Sequence, residues 1–595
     1  MRVSDYIADF LSSKGIEQVY LITGRGSLFL TDGIARNKDL EPICLHHEQA
    51  AAFAAIANSE ISEKPSACMV STGCASTNVL TAVLSAWQDG IPCIFISGQN
   101  VLNETTRYTK SDIRTFGQQE ADIVEIVRSI TKYSKMIEDP KSIKFEMEKA
   151  YDISMQGKKG PVWIDVPLDI QSTNIDVKNL SSYKKVSKNH LNEVKKNKKN
   201  AGIIKNLINK SSRPVLLVGA GVRSSNAITE LKKLSEDNNI PVTFTSSGAD
   251  IYGSKNKLSI GSVGSQGCSR SGNFTVQNSD LLIVIGSRMT SLNTGIDYCK
   301  FARNSKVILI DQDLKEHDKE GIKYTKKIET NIKDLLQEIN KLKIRKTNQN
   351  WVKTCLRWKR KFKKLNNFSL SKQIDLYELA DTFSKTLPAK SCFVCDSGFI
   401  DVIMPTNINF KNGQRCVHPV SQGAMGFALP AAIGCSHAFN GPIIAVIGDG
   451  SIMMNLQELQ TVAHHNIPLK IFVINNNAYA IINRRQKELF RKRTIGTNPS
   501  DGLSIPDFKK VADAFNIKYQ SIRTKNNLES KVKKVLQKNG PILCEVFARE
   551  DQSYIEISHA RDSNKKFVRR PLEDQAPFMD RKIFLEEMII KPIDQ

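Results

Sequence analysis

Ile443-Ile444-Ala445-Val446-Ile447-Gly448-Asp449-Gly450-Ser451 decides the fold of this 595-residue chain, and Asn475-Asn476 follows it 24 residues later. The opening apolar run suits a strand buried on both faces. Gly448 and Gly450 permit a tight bend that brings backbone N–H groups close to an anion, and Asp449 offers hard oxygen ligands. Met453, Met454, Leu456, Leu459 and Val462 follow helical spacing, and Leu469 to Ile474 forms the next buried strand. Parallel strands joined by a crossover helix end on the same sheet edge, so the Asp449 carboxylate and the Asn476 amide oxygen converge there. Two such ligands leave room for diphosphate oxygens around Mg²⁺. Gly-Asp-Gly alone also makes ordinary turns; the spacing to Asn476 is what favours a metal–diphosphate anchor.

The same theme recurs upstream. Pro214-Val215-Leu216-Leu217-Val218-Gly219-Ala220-Gly221 begins a strand–turn–helix pattern, and the apolar runs Leu281 to Ile285 and Lys306 to Ile310 repeat it. Gly-Ala-Gly falls short of the full dinucleotide fingerprint. The length exceeds what one core supports and predicts three or four domains. No run of eighteen apolar residues occurs, and Met1-Arg2-Val3-Ser4-Asp5 lacks the basic and apolar sequence of a signal peptide, so a cytoplasmic enzyme without a membrane partner is expected. The 12 cysteines are scattered; Cys392 and Cys395 have C-x-x-C spacing but lie in an apolar run, which favours buried thiols over zinc or redox chemistry.

Lys and Arg total 85 against 61 Asp and Glu, a net charge of +24. Much of this excess falls in Lys184 to Lys199, a polar stretch that reads as an exposed linker, and in Lys341 to Lys364, whose Trp351, Leu356, Trp358 and Phe362 suit an amphipathic helix. Basic residues interleaved with aromatics occur in nucleic-acid sites, yet no recognised nucleic-acid module accompanies them, and a solvated face is the better reading.

The segment from Gly448 to Ala478 resembles the thiamine diphosphate signature. The resemblance assigns the metal to Asp449, Asn476 and the backbone carbonyl of Ala478, with Gly448, Gly450 and Ser451 in the cofactor loop. It also implies a glutamate in another domain that activates the cofactor through its aminopyrimidine, and Glu48 in His46-His47-Glu48-Gln49-Ala50-Ala51-Ala52 is the candidate. Taken alone, Glu48 would be a solvated residue in a first helical turn; His46 and His47 receive no chemistry.

Over nearly the whole chain the resemblance sharpens to the acetolactate synthase family. Val19 to Gly26 is similar to its first glycine turn, Ser71 to Asn78 to a loop ending Ala-Thr-Asn, and Gln119-Glu120-Ala121-Asp122 to its Gln-Glu-Ala-Asp. Gln119 thereby inherits a place beside the reacting carbons. Met425 in Met425-Gly426-Phe427-Ala428-Leu429-Pro430 would wedge under the thiamine, where a core methionine is the plain alternative. Asp396-Ser397-Gly398 resembles the start of the diphosphate-contacting loop, with Gly398 at the cofactor.

The expected architecture is α/β, with three doubly wound parallel-sheet domains of the thiamine diphosphate-dependent type. They span residues 1–180 (pyrimidine-binding), 190–345 (central, FAD-binding-like) and 370–550 (diphosphate- and Mg²⁺-binding), followed by an extension over 551–595 that either closes over the site or packs at an interface. Besides thiamine diphosphate and Mg²⁺, FAD is a candidate cofactor, since relatives keep the central fold with or without it. Gly264 to Gly267 and Gly286 to Arg288 match flavin-contacting loops loosely. A homodimer or homotetramer is implied, with Glu48 and Asp449 across a subunit interface.

The implied reaction decarboxylates a 2-oxo acid, pyruvate first, and transfers the acyl unit to an acceptor. Three positions depart from the family. Leu292 stands where an arginine would grip the acceptor carboxylate, and Arg485 stands in place of a tryptophan; Arg25 also replaces a glycine. Either these arginines grip an anionic acceptor from a new direction or the substrate differs. Another decarboxylase, a carbon–carbon lyase or hydrolase on the same scaffold, and a non-catalytic binding protein are the other readings. Glu48, Asp449 and Asn476 together argue against the last.

Overall fold

The computed structural model describes residues 1–185, 190–362, 373–561 and 567–593. Three six-stranded parallel sheets carry the fold. The first has the order Glu41–Cys44, Gln18–Leu21, Ser66–Val70, Cys93–Gln99, Val162–Pro167, Tyr133–Met136. The second runs Tyr324–Glu329, Lys306–Asp311, Leu281–Ile285, Pro214–Val218, Val242–Phe244, Ser259–Ser262. The third runs Arg415–Val417, Cys392–Cys395, Ile443–Gly448, Lys470–Asn475, Ile542–Phe547, Lys518–Ile522. Their central strands are fully buried apolar runs, as sheets covered by helices on both faces require.

In each sheet the chain first builds outward to one edge and then returns to the other side, which leaves a switch point between two strands. Loops leaving such neighbours diverge and open a crevice. The switch points lie between Gln18–Leu21 and Ser66–Val70, between Pro214–Val218 and Leu281–Ile285, and between Cys392–Cys395 and Ile443–Gly448. The glycine motifs singled out in the sequence, apart from Gly264 to Gly267 and Met425-Gly426, each leave one of these six strands.

The first and third domains share one hydrophobic core. The helix Glu48–Ser62 presents a run of alanines to the helix Ala428–Ala438, and small residues allow the two backbones to touch. A Cβ on Gly434 would lie 2.0 Å from the carbonyl oxygen of Ala54, so glycine is obligatory at that crossing. Tyr20 and Asn58 close it, with Asn58 Nδ2 donating to Tyr20 Oη at 3.0 Å.

Several local expectations are corrected. Helical spacing from Met453 gives only a 3₁₀ turn, Ile452–Met454, with both methionines exposed; the α-helix starts at Glu458. Most of the supposed linker from Lys184 to Lys199 belongs to the helix His190–Lys210, which packs on Ile332–Asn340 through Ala201, Ile204 and Ile208; residues 186–189 lie outside the described residues. The second basic stretch forms the amphipathic helix Gln349–Lys361, with Trp351, Cys355 and Trp358 buried; residues 363 and 364 lie outside the described residues. Its polar face meets the C-terminal helix Arg581–Glu587. Trp358 Nε1, Arg357 Nη2 and Lys361 Nζ all donate to Glu587, at 2.7, 2.7 and 2.8 Å. The extension therefore packs on the central domain. No helix among the described residues is long and apolar enough to cross a membrane.

Candidate active site

The buried strand Ile443–Gly448 delivers Asp449 to the switch-point crevice of the third sheet. Its carboxylate accepts backbone N–H groups of Gly450 at 2.7 Å, Asn476 at 2.9 Å and Asn477 at 2.6 Å. The Ala478 N–H donates to Asn476 Oδ1 at 3.2 Å. Gly450 admits no side chain, because a Cβ there would lie 1.9 Å from the Tyr479 ring. Burial pushes the Asp449 carboxyl up to about 6, against the backbone hydrogen bonds that lower it.

Asp396, at the other lip of the crevice, organises the neighbouring loops. Its carboxylate accepts N–H groups of Ser397 at 2.8 Å, Gly426 at 3.2 Å and Ala428 at 2.7 Å, and the Ser451 hydroxyl. It too is pushed up to about 6, chiefly by burial. The sequence assigned Asp396 no role beyond its loop; its place directly after a buried strand at the switch point was the available signal. Gly398 has a φ of +85°, and a Cβ there would meet nothing within 4 Å, so its backbone faces open space. Met425 is half-buried and lies outside the hydrophobic clusters among the described residues, which removes the core-methionine alternative.

Neither Asp396 nor Asp449 is paired with a cationic side chain among the described residues. Two buried carboxylates, an amide oxygen and exposed backbone are a donor set that fits a hard divalent cation with a diphosphate. Asp449 and Asn476 could coordinate the cation, while Gly398, Gly448, Gly450 and Ser451 border the diphosphate space.

In the first domain Glu48 opens the helix Glu48–Ser62, and the His47 ring caps that helix by accepting the Gln49 N–H at 3.1 Å. Glu48 is half-buried, and its Oε2 accepts Asn78 Nδ2 at 2.9 Å. Asn78 is thus a positioning partner that the loop Ser71 to Asn78 did not announce. Within the same chain, the His46 N–H donates to Glu458 Oε1 at 3.1 Å and Asn455 Nδ2 to Gln49 Oε1 at 3.3 Å. The glutamate-bearing turn is therefore clamped to the segment following Ser451.

Gln119 is exposed in a left-handed conformation, φ 61°, and Gly73 lies so close that a Cβ would meet the Gln119 carbonyl at 1.9 Å. Leu292 is exposed. Arg485 is not a free cation: with Arg484 it grips the buried carboxylate of Glu556, and its Nη2 donates to Tyr554 Oη at 3.1 Å. Of the two alternatives left open by the sequence, an arginine gripping an anionic acceptor would first have to leave this pairing with the C-terminal segment. Arg25 is exposed and bonded to Gln118.

A cavity of about 570 Å³ lies elsewhere, at the junction of all three domains; neither Glu48 nor Asp449 lines it. Gly221 and Gly286 to Arg288 form its central-domain wall, opposite Glu60, Asp89 and Arg415. The loop Gly264 to Gly267 is absent from that wall. The Gly267 N–H is bonded to the Ile555 carbonyl at 2.7 Å and the Gly267 carbonyl accepts Asn407 Nδ2 at 2.8 Å, so the loop serves interdomain packing.

Comparison with known families matches three models in chain order: the N-terminal TPP binding domain of thiamine pyrophosphate enzymes over residues 1–126, their central domain over 203–339, and their C-terminal TPP binding domain over 396–546. The chain belongs to the thiamine pyrophosphate enzyme family. Within it the protein is acetolactate synthase-like. It is 29% identical over 581 residues to the acetolactate synthase large subunit of Cyanidium caldarium, covering 94% of this chain and 95% of that one. It is 28% identical over 564 residues to the acetolactate synthase large subunit of Haemophilus influenzae, covering 92% and 95%. To acetolactate synthase 1, chloroplastic, of Zea mays it is 28% identical over 563 residues, covering 91% and 85%.

Proposed function

We propose that this protein is a thiamine diphosphate-dependent carboligase of the acetolactate synthase type, which decarboxylates a 2-oxo acid, pyruvate first, and passes the acyl unit to an acceptor. The observation that carries the reading is Asp449, a buried carboxylate held by three backbone N–H groups and lacking a cationic partner among the described residues, at the switch point of a domain matched to the C-terminal TPP binding model.

Bound thiamine diphosphate supplies the electron sink that makes loss of CO₂ feasible. The chain supplies placement and proton control. Asp449, Asn476 and the Ala478 carbonyl would hold Mg²⁺, and Gly398, Gly448, Gly450 and Ser451 would border the diphosphate. Met425 would pack against the cofactor. Glu48 would hold or give up a proton at its carboxylate oxygens toward the aminopyrimidine, and its hydrogen bond from Asn78 fixes the carboxylate's orientation. Gln119 stands beside the substrate carbons. The assembly is a homodimer or homotetramer in the cytoplasm with no nucleic-acid partner, the last supported by the engagement of the basic helix with Glu587. FAD is a candidate occupant of the three-domain cavity, which Gly221, Gly286 and Arg288 line.

A second reading, a different acceptor or a simple decarboxylase or lyase, is favoured by Leu292 and by the pairing of Arg485 with Glu556. One experiment decides. The protein is supplied with thiamine diphosphate, Mg²⁺ and pyruvate, with and without added 2-oxo acid acceptors, while CO₂ and products are followed. Acetolactate supports the first reading and aldehyde alone the second. No turnover on a broad 2-oxo acid panel, with Glu48→Gln identical to wild type, overturns both.

A further inference from the structure

The ladder of the third sheet pairs Phe393 with Cys416 and Val394 with Val417. The next step along it sets Cys395 beside His418, with both side chains leaving the same face. Asp401 reaches this corner from the helix Phe399–Asn407. A sulfur, an imidazole nitrogen and a carboxylate oxygen of Cys395, His418 and Asp401 all lie within 4.8 Å of one another. Cys395 is fully buried and His418 nearly so. The C-x-x-C pair itself is no site, because Cys392 and Cys395 enter hydrophobic clusters on opposite faces of the sheet.

We propose that Cys395, Asp401 and His418 form a structural binding site for a divalent transition metal of the zinc class, distinct from the Asp449 site. Mixed sulfur, nitrogen and oxygen ligands suit Zn²⁺, whereas Mg²⁺ takes oxygen. His418 Nδ1 and Asp401 Oδ1 lie 2.6 Å apart, two ligand atoms facing the same point. The outer contact a metal-bound histidine needs is on the other nitrogen: Nε2 lies 3.4 Å from the Ser246 carbonyl oxygen, which fixes the ring. Cys416, two residues before His418 on the same face, brings a further thiol to the corner and is held by its N–H to Asp250 Oδ2 at 3.0 Å.

Charge also balances. One thiolate, one carboxylate and a neutral imidazole offset the ion's two positive charges, so no net charge is buried. Binding releases the Sγ proton of Cys395, while the single proton of the neutral His418 ring sits on Nε2 facing the Ser246 carbonyl, so the imidazole stays neutral. The released proton leaves through the three-domain cavity, which His418 and Cys416 line and which is also the ion's entry path. The ion would tie the strand preceding Asp396 to the loop after Val417, joining the crevice lip to the cavity wall.

The test uses the full-length protein stripped with chelator, saturated with Mg²⁺ and thiamine diphosphate, and titrated with Co²⁺ as the probe. The expected result is a thiolate-to-cobalt absorption band that saturates at one ion per chain and is abolished by Cys395→Ser and by His418→Ala. Asp401→Asn weakens the titration by roughly 10–100-fold. Cys544→Ser, which alters a buried thiol on the strand Ile542–Phe547, leaves the band intact. The Asp449 site contains no thiol, so the readout is independent of the cofactor reading. Absence of the band in the wild-type protein overturns the proposal, and so does a band that survives Asp401→Asn and His418→Ala unchanged. Should Cys395→Ser fail to fold, the wild-type and Asp401→Asn titrations decide the matter.

Discussion

The backbone N–H of Asn476 donates to Asp449 Oδ2 at 2.9 Å, although a crossover helix, Glu458–His464, and a strand, Lys470–Asn475, separate the two residues. The bond ties the ends of adjacent parallel strands, Ile443–Gly448 and Lys470–Asn475, into one rigid lip. Asp449→Asn gives up the charge and turns one acceptor oxygen into an NH2 donor facing backbone N–H. Affinity for Mg²⁺ with thiamine diphosphate should fall at least roughly 100-fold, about 2.7 kcal/mol, alongside a loss of stability of about 1–3 kcal/mol from the unmade hydrogen bond. Calorimetric titration of cofactor into the two proteins checks it; equal affinities would remove Asp449 from the metal.

Acid should weaken cofactor binding through the same residue. The carboxyls of Asp449 and Asp396 are both raised from 3.8 to about 6, first by burial. Each therefore stays protonated in the fold after it would have ionised in the unfolded chain. Metal-free stability should decline as pH rises from about 4 to 6 and then level off. Metal binding needs Asp449 ionised, so affinity should be flat above about pH 6 and fall up to about tenfold per pH unit below it. Titrations at pH 5, 6 and 7.5 measure this, and an affinity independent of pH across that range would contradict it.

Much of this site was legible in the sequence because chain order carries it. Asp449 and Asn476 close one strand each, and strand ends in a parallel sheet share an edge whatever else the fold does. Glu48 came from resemblance alone; its positioning partner Asn78 depends on how two loops meet at a switch point, which no periodicity encodes. The pairing of Arg485 with Glu556 spans 71 residues and depends on where the C-terminal segment docks. The Lys184 to Lys199 stretch misled for a related reason: its few apolar residues were too sparse to reveal a helix that tertiary packing stabilises.

Glu556 should hold the C-terminal segment in place. Its buried carboxylate takes both Arg484 and Arg485, and its backbone bridges to Gln266 and Ala576. Glu556→Gln leaves two guanidinium groups half-satisfied at a partly exposed position. The cost expected is about 1–3 kcal/mol, together with faster proteolysis of the segment after residue 550. If Arg485 contacts an anionic substrate once freed, the variant should also lower KM for the 2-oxo acid while kcat holds or falls. A variant with wild-type stability and KM would show that the clamp does neither.

The same substitution, glycine to alanine, should act with opposite signs at two helix positions. Gly202 lies inside the helix His190–Lys210, and a Cβ there meets nothing within 4 Å, so Gly202→Ala should stabilise by about 0.5–1 kcal/mol through helix propensity. Gly434 faces the Ala54 carbonyl, 2.0 Å from where a Cβ would lie. Backbone cannot rotate away as a side chain can, so Gly434→Ala must push apart the helices Glu48–Ser62 and Ala428–Ala438. Overpacking of this kind costs about 1–3 kcal/mol. Glu48 opens one of these helices and Met425 precedes the other, so the displacement should reach the active site and lower cofactor affinity as well as stability. Denaturant unfolding of both variants, with cofactor titration of each, separates the effects. Loss of stability at Gly434 without loss of cofactor affinity would mean that the helix crossing supports the fold but does not set the position of Glu48.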